Sequence, residues 1–292
     1  MIDSFLKYLR FEKRLSGNTV IAYQNDLGQF SKFIQSTFHQ DDASGADHGM
    51  VRTWIISLVD AGINPASINR KIACLRTFFK FLLREQVIKA NPMTKIRVLK
   101  TPKRLPAFVK ESDMAQVLDQ REFEDSFAGW RERLILELFY GTGIRLSELI
   151  GLTEQSVDLK ERTIKVLGKR KKERVIPFSA HLVKILEGYL SMKRRSVSVV
   201  SDALLVTESG GPCYSTMIYR IVKNNLSTYT TAEKTSPHVL RHTYATHLLN
   251  KGAEINAVKD LLGHSSLAAT QVYTHNSMEK IKKAFDQAHP KA

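Results

Sequence analysis

The sequence predicts a mainly helical protein of the α+β class. An all-helical first domain covers residues 1–93, a basic linker covers 94–107, and a mixed second domain with a small antiparallel sheet covers 108–292. Three observations carry this. Apolar residues recur three and four apart through the first ninety or so positions, the period of a helix face. Three prolines, Pro92, Pro102 and Pro106, then interrupt any periodicity. In the second half, one charged stretch lies between two short β-prone runs, the mark of a hairpin. A chain of 292 residues is long enough for two modest cores.

The elements follow in order. Ser16 is an N-cap candidate for a helix whose Val20, Tyr23, Leu27 and Phe30 share one face. The polar stretch 39–48, HQDDASGADH, predicts a loop. MVRTWIISLVDAG predicts a helix closed by Gly62. A further helix opens at Pro65, a residue suited to a first turn, and carries Ile68, Ile72, Leu75, Phe78, Phe79 and Leu82 as one stripe. Arg70, Lys71, Arg76, Lys80 and Arg84 lie mostly off that stripe, as on a solvated face. Beyond the prolines, MAQVLDQ and RERLILELFYGTG predict helices, the second ending at Gly141 or Gly143. Ile164, Val166, Val175 and Ile176 frame the hairpin. HLVKILEGYL is helical, ALLVT is a short strand candidate, STMIYRIVKNNL is helical, and helix dominates from Pro237 onward.

Charge narrows the class of function. The net charge of +15 points to a polyanionic partner, nucleic acid before an acidic membrane. Residues 94–107 carry Lys95, Arg97, Lys100, Lys103 and Arg104 and no acid. Their +5 compares with +4 and +6 for the two far longer flanking domains, so a phosphate backbone is expected to pass along the linker. No basic amphipathic helix supports a membrane-surface role. The opening MIDSFLKYLRFEKRLSGNTV lacks the pattern of a signal peptide, and no run approaches the roughly 20 apolar residues of a membrane span, so a cytoplasmic protein is expected. Cys74 and Cys213 have no metal-ligand spacing and are expected to be reduced, buried thiols.

Four local motifs stand out. YGTGIRLSELIGL places Arg145 just after a glycine-marked helix break. VLGKRKKERVIPF places Lys169 where the first hairpin strand meets its turn. SPHVLRHTYATHLL sets His238 and Arg241 three apart on one helix face. LLGHSSLAATQVYTH sets His264 nine residues before Tyr273. Each has a bland alternative when taken singly. Arg145 can pair with Glu148 on a helix surface, Lys169 can be a solvated lysine, His238 can cap its helix, and Tyr273 can fill a core. Their order and spacing favour a shared site.

In these motifs the chain resembles the tyrosine recombinases, a family that includes phage integrases, and its Xer branch above all. The resemblance spans nearly the whole chain, from the helical first domain to the ending AHPKA. It implies a SAM-like core-binding domain over 1–93 that binds DNA, and a catalytic domain over 108–292 with a C-terminal exchange helix at 277–286. It also implies Arg145, Lys169, His238, Arg241 and His264 as the pocket and Tyr273 as the nucleophile. Arg170 stands where the family often has glycine, which leaves Lys171 and Lys172 as alternatives to Lys169. No cofactor or metal is implied, and the sequence offers no carboxylate cluster suited to Mg²⁺. The implied partners are double-stranded DNA, a homo- or hetero-tetramer on two DNA sites, a second Xer-type recombinase and an FtsK-type translocase. The implied role is resolution of chromosome dimers at a dif-like site. A mobile-element integrase, a DNA-inversion enzyme and a non-catalytic DNA-binding protein are the alternatives; the last would require a missing pocket residue.

The chemistry suits those residue types. A tyrosine attacking a phosphodiester conserves its energy in a 3′-phosphotyrosyl bond and releases a 5′-hydroxyl. Only about one free tyrosine in a thousand is ionised at pH 7, so a base must take its proton, the role implied for His238. Arginines can clamp the nonbridging oxygens bidentately as charge develops, which suits Arg145 and Arg241. A lysine can protonate the leaving 5′-oxygen, and His264 can donate to the phosphate.

Overall fold

The computed structural model describes residues 1–102, 107–168, 173–198, 201–230, 235–263, 285 and 287–291. The chain divides into two compact units, Met1–Arg104 and Leu105–Ala292.

Among its described residues the first unit has helices as its only regular elements, followed by turns and irregular chain over 85–102. Helix α1 (Ile2–Lys7) runs into a π turn at Tyr8–Glu12. Helix α2 (Gly17–Phe38) starts where the Ser16 hydroxyl accepts from the Thr19 amide, as the sequence predicts, and stops at left-handed His39. Helix α3 (His48–Asp60) is capped by Asp47, and α4 (Pro65–Arg84) by Asn64 with Pro65 in its first turn. The whole predicted stripe of α4 is buried, joined by Phe5, Leu9, Phe30, Ile34 and Trp54. Edge-on aromatic contacts tie these helices, such as Phe5 on Phe78 at 5.3 Å. Lys71 departs from the solvated face expected of it. It is buried, and its ammonium donates to the Asp26 carboxylate at 2.9 Å and to Gln29. Asp26 also pairs with Arg70. A buried carboxylate needs such donors, so α2 and α4 meet through ions as well as rings.

The stretch after α4 is anchored more firmly than a free linker. Met93 and Ile96 are core residues of the first unit. The Asn69 side chain accepts from the Leu99 amide and donates to the Leu99 carbonyl, and Arg76 donates to the Ile96 carbonyl. Lys95, Arg97 and Lys100 nevertheless stay exposed. Lys103 and Arg104 lie outside the described residues.

The second unit is built on α6 (Phe127–Thr142), capped by Ser126 and buried along most of its last two turns. It packs against α8 (Ala180–Ser196) and α10 (Pro237–Asn250). Helix α5 (Glu111–Ala115) continues into a π turn at Gln116–Gln120. The short α7 (Leu146–Ile150) leads to an antiparallel sheet of β1 (Val157–Asp158), β2 (Thr163–Leu167) and β3 (Glu173–Pro177), in that order. The predicted hairpin is β2–β3, with Ile164 opposite Ile176 and Val166 opposite Arg174. The pleat therefore sends Arg174 inward with the buried isoleucines.

ALLVT does not form the predicted strand. Its backbone groups are shared out: the Leu204 amide donates to the Leu152 carbonyl and the Leu205 carbonyl accepts from the Cys213 amide, while the buried Lys193 ammonium donates to the Ala203 carbonyl and the Tyr189 hydroxyl bridges the Leu204 carbonyl and the Val206 amide. Only isolated bridges, Thr153 to Ala203 and Val206 to Pro212, remain. Helices α9 (Ser215–Tyr229) and α11 (Ile255–Leu262) complete the α-helices of the described residues. Both cysteines are free and buried, and burial pushes the Cys74 thiol up to about 12 and Cys213 to about 11.

The end of the chain packs on its own domain. Of the apolar tail set Met278, Ile281, Ala284 and Phe285, only Phe285 is described. Phe285 and Ala288 are buried against Tyr244, Leu248, Val258, Leu261 and Leu262. His289 Nε2 meets the Tyr140 carbonyl at 3.1 Å, and Phe285 stacks on its ring.

Burial holds the His289 imidazole at about 4, below the ordinary 6.5, so the docked tail keeps it neutral. The undocked tail binds a proton more readily, so docking is complete above pH 6.5 and weakens as pH falls to 4. The change amounts to about 3 kcal/mol at most. Hydrogen-exchange protection of residues 287–291, corrected for intrinsic rates, is expected to decline across that window. A flat profile would show that the imidazole does not report on docking.

Candidate active site

Arg145 is the N-cap of α7, directly after the break that ends α6. The break depends on Gly143, whose φ of 58° is left-handed. A Cβ there would stand 2.5 Å from the Tyr244 ring and 3.0 Å from Leu262. The Arg145 amide donates to Glu148 Oε2 at 2.9 Å and its Nη1 to Oε1 at 2.7 Å. The Arg145–Glu148 pair thus forms, but not as a surface pair, because the Glu148 side chain is only 3% exposed.

A second guanidinium, absent from the predicted pocket, meets the other side of that carboxylate. Arg174 donates from Nη1 and Nη2 to the two Glu148 oxygens at 2.6 and 2.8 Å. Its Nε donates to the Leu261 carbonyl at 3.2 Å. Arg241, on α10, donates to the carbonyls of Gly143 and Leu262. Arg145 Nη2 takes the next carbonyl, Gly263, at 3.1 Å. The last two carbonyls of α11, 261 and 262, and that of its C-cap, Gly263, therefore receive Arg174, Arg241 and Arg145 in turn. These carbonyls are the unpaired, electronegative end of the helix, which is where cations are favoured.

His238 sits exposed on the first turn of α10. It is not the cap: the Ser236 hydroxyl accepts from the Val239 amide, with Pro237 following. Lys169, its alternatives Lys171 and Lys172, His264 and Tyr273 lie outside the described residues.

Glu148 and Arg174 are the members of this cluster that the predicted pocket lacks. The signal for Arg174 is in the strand alternation: a charged residue in phase with Ile176, on the face that should be apolar. Glu148 is visible only as a partner for Arg145.

The electrostatics favour an anion. Among the described residues, three guanidiniums surround one carboxylate. Burial alone would raise the Glu148 carboxyl, but the hydrogen bonds and charge of Arg174, then those of Arg145, hold it at about 2. Burial, then the charges of Arg145 and Arg174, lowers Arg241 to about 10, which still leaves it protonated at neutral pH. Each guanidinium has five N–H donors. Arg145 and Arg241 each use only Nη1 and Nη2 in these bonds, so donors remain for a phosphate.

Elsewhere, Asp119, Glu137 and His181 come together in a way the sequence did not suggest. A cation is already supplied there by Lys291, whose ammonium lies 2.7 Å from Asp119 and 2.8 Å from Glu137.

Residues 108–280 match the profile of the phage integrase family, and residues 2–86 match the phage integrase N-terminal SAM-like domain. The chain is 35% identical to tyrosine recombinase XerC of Bacillus subtilis, covering all of this chain and 96% of that one. It is 37% identical to XerC of Listeria innocua, covering 99% and 97%. Among solved structures, XerH recombinase bound to palindromic difH substrate shares the fold with a TM-score of 0.70 at 22% identity, covering 97% and 93%. The Tn1549 transposon integrase in complex with transposon right end DNA does so with 0.71 at 18%, covering 98% and 99%.

Replacing Glu148 by Gln leaves two buried or half-buried guanidiniums without their anion and is expected to destabilise the second unit by about 3 kcal/mol at pH 7. The lowered carboxyl pKa fixes the pH dependence. The contribution is complete above the ordinary value of 4.5 and is lost as pH falls towards 2. Urea denaturation should therefore show wild type and Glu148→Gln converging between pH 4.5 and 2. A constant gap would mean that the carboxylate charge is not what holds the cluster.

Proposed function

The chain belongs to the phage integrase family and is a tyrosine-type site-specific DNA recombinase; from that premise we propose the division of labour in its site and its biological role. Tyr273 attacks the scissile phosphate. A P–O bond forms to the phenol oxygen while the bond to the 5′-oxygen breaks, leaving a 3′-phosphotyrosyl link. His238 takes the phenolic proton and Lys169 gives one to the departing 5′-oxygen. Arg145 and Arg241 hold the nonbridging oxygens, and His264 adds a hydrogen bond. The reverse reaction with a new 5′-hydroxyl rejoins the strand.

What supports this reading is the convergence of Arg145 and Arg241, from different elements, on successive carbonyls one and two residues before His264 in sequence. Their unused donors lie beside a cluster with excess positive charge. The exposed position of His238 one turn before Arg241 suits a base that must meet a phenol from outside the helix.

In the cell, the proposed substrate is a pair of dif-like sites, with four protomers resolving a chromosome dimer. A second Xer-type recombinase and an FtsK-type translocase are the proposed partners. The similarity to XerC over the full chain is what favours this role over a mobile-element integrase. No described helix is long and apolar enough to cross a membrane, and a cytoplasmic location fits a chromosomal substrate. Lys95, Arg97, Lys100, Lys103 and Arg104 are proposed to follow the DNA backbone.

Tyr273→Phe should retain DNA and form no covalent adduct. Sequencing the genomic fragments it retains gives the target, which is then nicked beside the scissile phosphate for cleavage assays on denaturing gels. Arg145→Ala and Arg241→Ala should each cleave that duplex 10²- to 10³-fold more slowly, by analogy with the removal of oxyanion donors, while binding it within a few-fold of wild type. A covalent band from Tyr273→Phe would remove the nucleophile assignment. Captured fragments clustered in a mobile element would favour the integrase role.

Neutralising Lys95, Arg97 and Lys100 together should weaken binding at every sequence. The log–log salt slope should fall by about 0.9 for each phosphate that is no longer neutralised. An unchanged slope would place these bases away from the backbone.

A further inference from the structure

We propose that Arg174 is a positioning residue for strand cleavage: it aims Arg145 through their shared Glu148 carboxylate and fixes the carbonyl end of α11, without itself touching the phosphate. The inference rests on the recombinase reading above.

The geometry separates Arg174 from the other two arginines. All three of its nitrogens are engaged, two on Glu148 and one on Leu261. Its side chain is 5% exposed, against 27% for Arg145. With every nitrogen engaged as well, this guanidinium has no free edge for DNA; Arg241 is also buried, but its Nε takes no part in the bonds to Gly143 and Leu262. What Arg174 does have is a rigid fork matched to a carboxylate. That fork leaves Glu148 one orientation, and the same carboxylate holds both the amide and Nη1 of Arg145.

Arg174 also joins two parts of the site. It stands on β3, the strand that follows the Lys169 segment, and it grips α11, the helix that precedes His264 in the chain. Gly263 fits against it: a Cβ at that residue would lie 2.9 Å from Arg174 Cδ. The hairpin, the Arg145 turn and the end of α11 are therefore held to one another by one side chain. A reacting group displaced by about 1 Å can cost a hundredfold in rate, so the loss of Arg174 should appear in chemistry more than in binding.

The test uses Arg174→Gln and Arg174→Lys in the full-length protein, on the nicked duplex defined above. Arg174→Lys keeps a buried cation beside Glu148, which protects against simple unfolding, but a point charge cannot span both oxygens and Leu261. Both variants should form the covalent complex about a hundredfold more slowly, with affinity and salt slope unchanged. A methylphosphonate at the scissile position removes the charge that Arg145 must meet. On that substrate the defects of Arg174→Gln and Arg145→Ala should shrink together, by tenfold or more. Adding Arg174→Gln to Arg145→Ala should cost little further, because the two act as one unit. Cleavage by Arg174→Gln within twofold of wild type would overturn the proposal. So would a salt slope reduced by about 0.9, which would make Arg174 a phosphate contact. Full additivity with Arg145→Ala, or a defect unmoved by the methylphosphonate, would reduce it to a general structural role. Failure of wild type itself to form a covalent complex would instead remove the recombinase reading, and this proposal with it.

Discussion

The site depends on one buried anion. Three guanidiniums drawn to the same few ångströms repel one another, and burial raises the cost of each. Glu148 makes their assembly tolerable. Its two carboxylate oxygens accept from Nη1 and Nη2 of Arg174 and from Nη1 and the backbone amide of Arg145. The end of α11 supplies the rest of the compensation through three consecutive carbonyls. Neutralisation is left incomplete, and the remaining positive charge favours an anion. A second carboxylate would complete the neutralisation and remove that preference for an anion.

The division between sealed and open arginines follows from where each is mounted. Arg174 is on a strand, and the pleat drives it inward. Arg145 is at a helix N-terminus, where the chain has just turned at Gly143, and its side chain stays partly exposed. Arg241, on α10, is buried like Arg174 but bonds through Nη1 and Nη2 alone. Rigid elements thus deliver every described member of the site. The same logic holds in the first unit, where the buried Asp26 meets Lys71 and Arg70 from the next helix.

Much of this was legible in the sequence. The helical face of α4, the Ser16 cap, the β2–β3 hairpin and the end of α6 at Gly143 all rest on local rules, and the structure follows them. Order and spacing single out Arg145, His238 and Arg241, and the structure brings the first and last of these to adjacent carbonyls at the end of α11. What was not legible is partnership across the chain. Lys71 looks like one more surface base until Asp26 is placed beside it. The 203–207 stretch looks like a strand until its backbone groups are divided among Leu152, Cys213, Lys193 and Tyr189. Arg174 looks like one of several bases in a charged hairpin, and only its phase with Ile176 marks it out.

The tight fit between Gly263 and Arg174 has a bearing on how this protein can vary. The glycine has a φ of 62°, and the space where its side chain would be is filled by the arginine. Any larger residue at 263 must both adopt a left-handed backbone and push that arginine away from Glu148. A substitution at 263 is therefore felt on β3, far away in the sequence, through the register of the cation cluster.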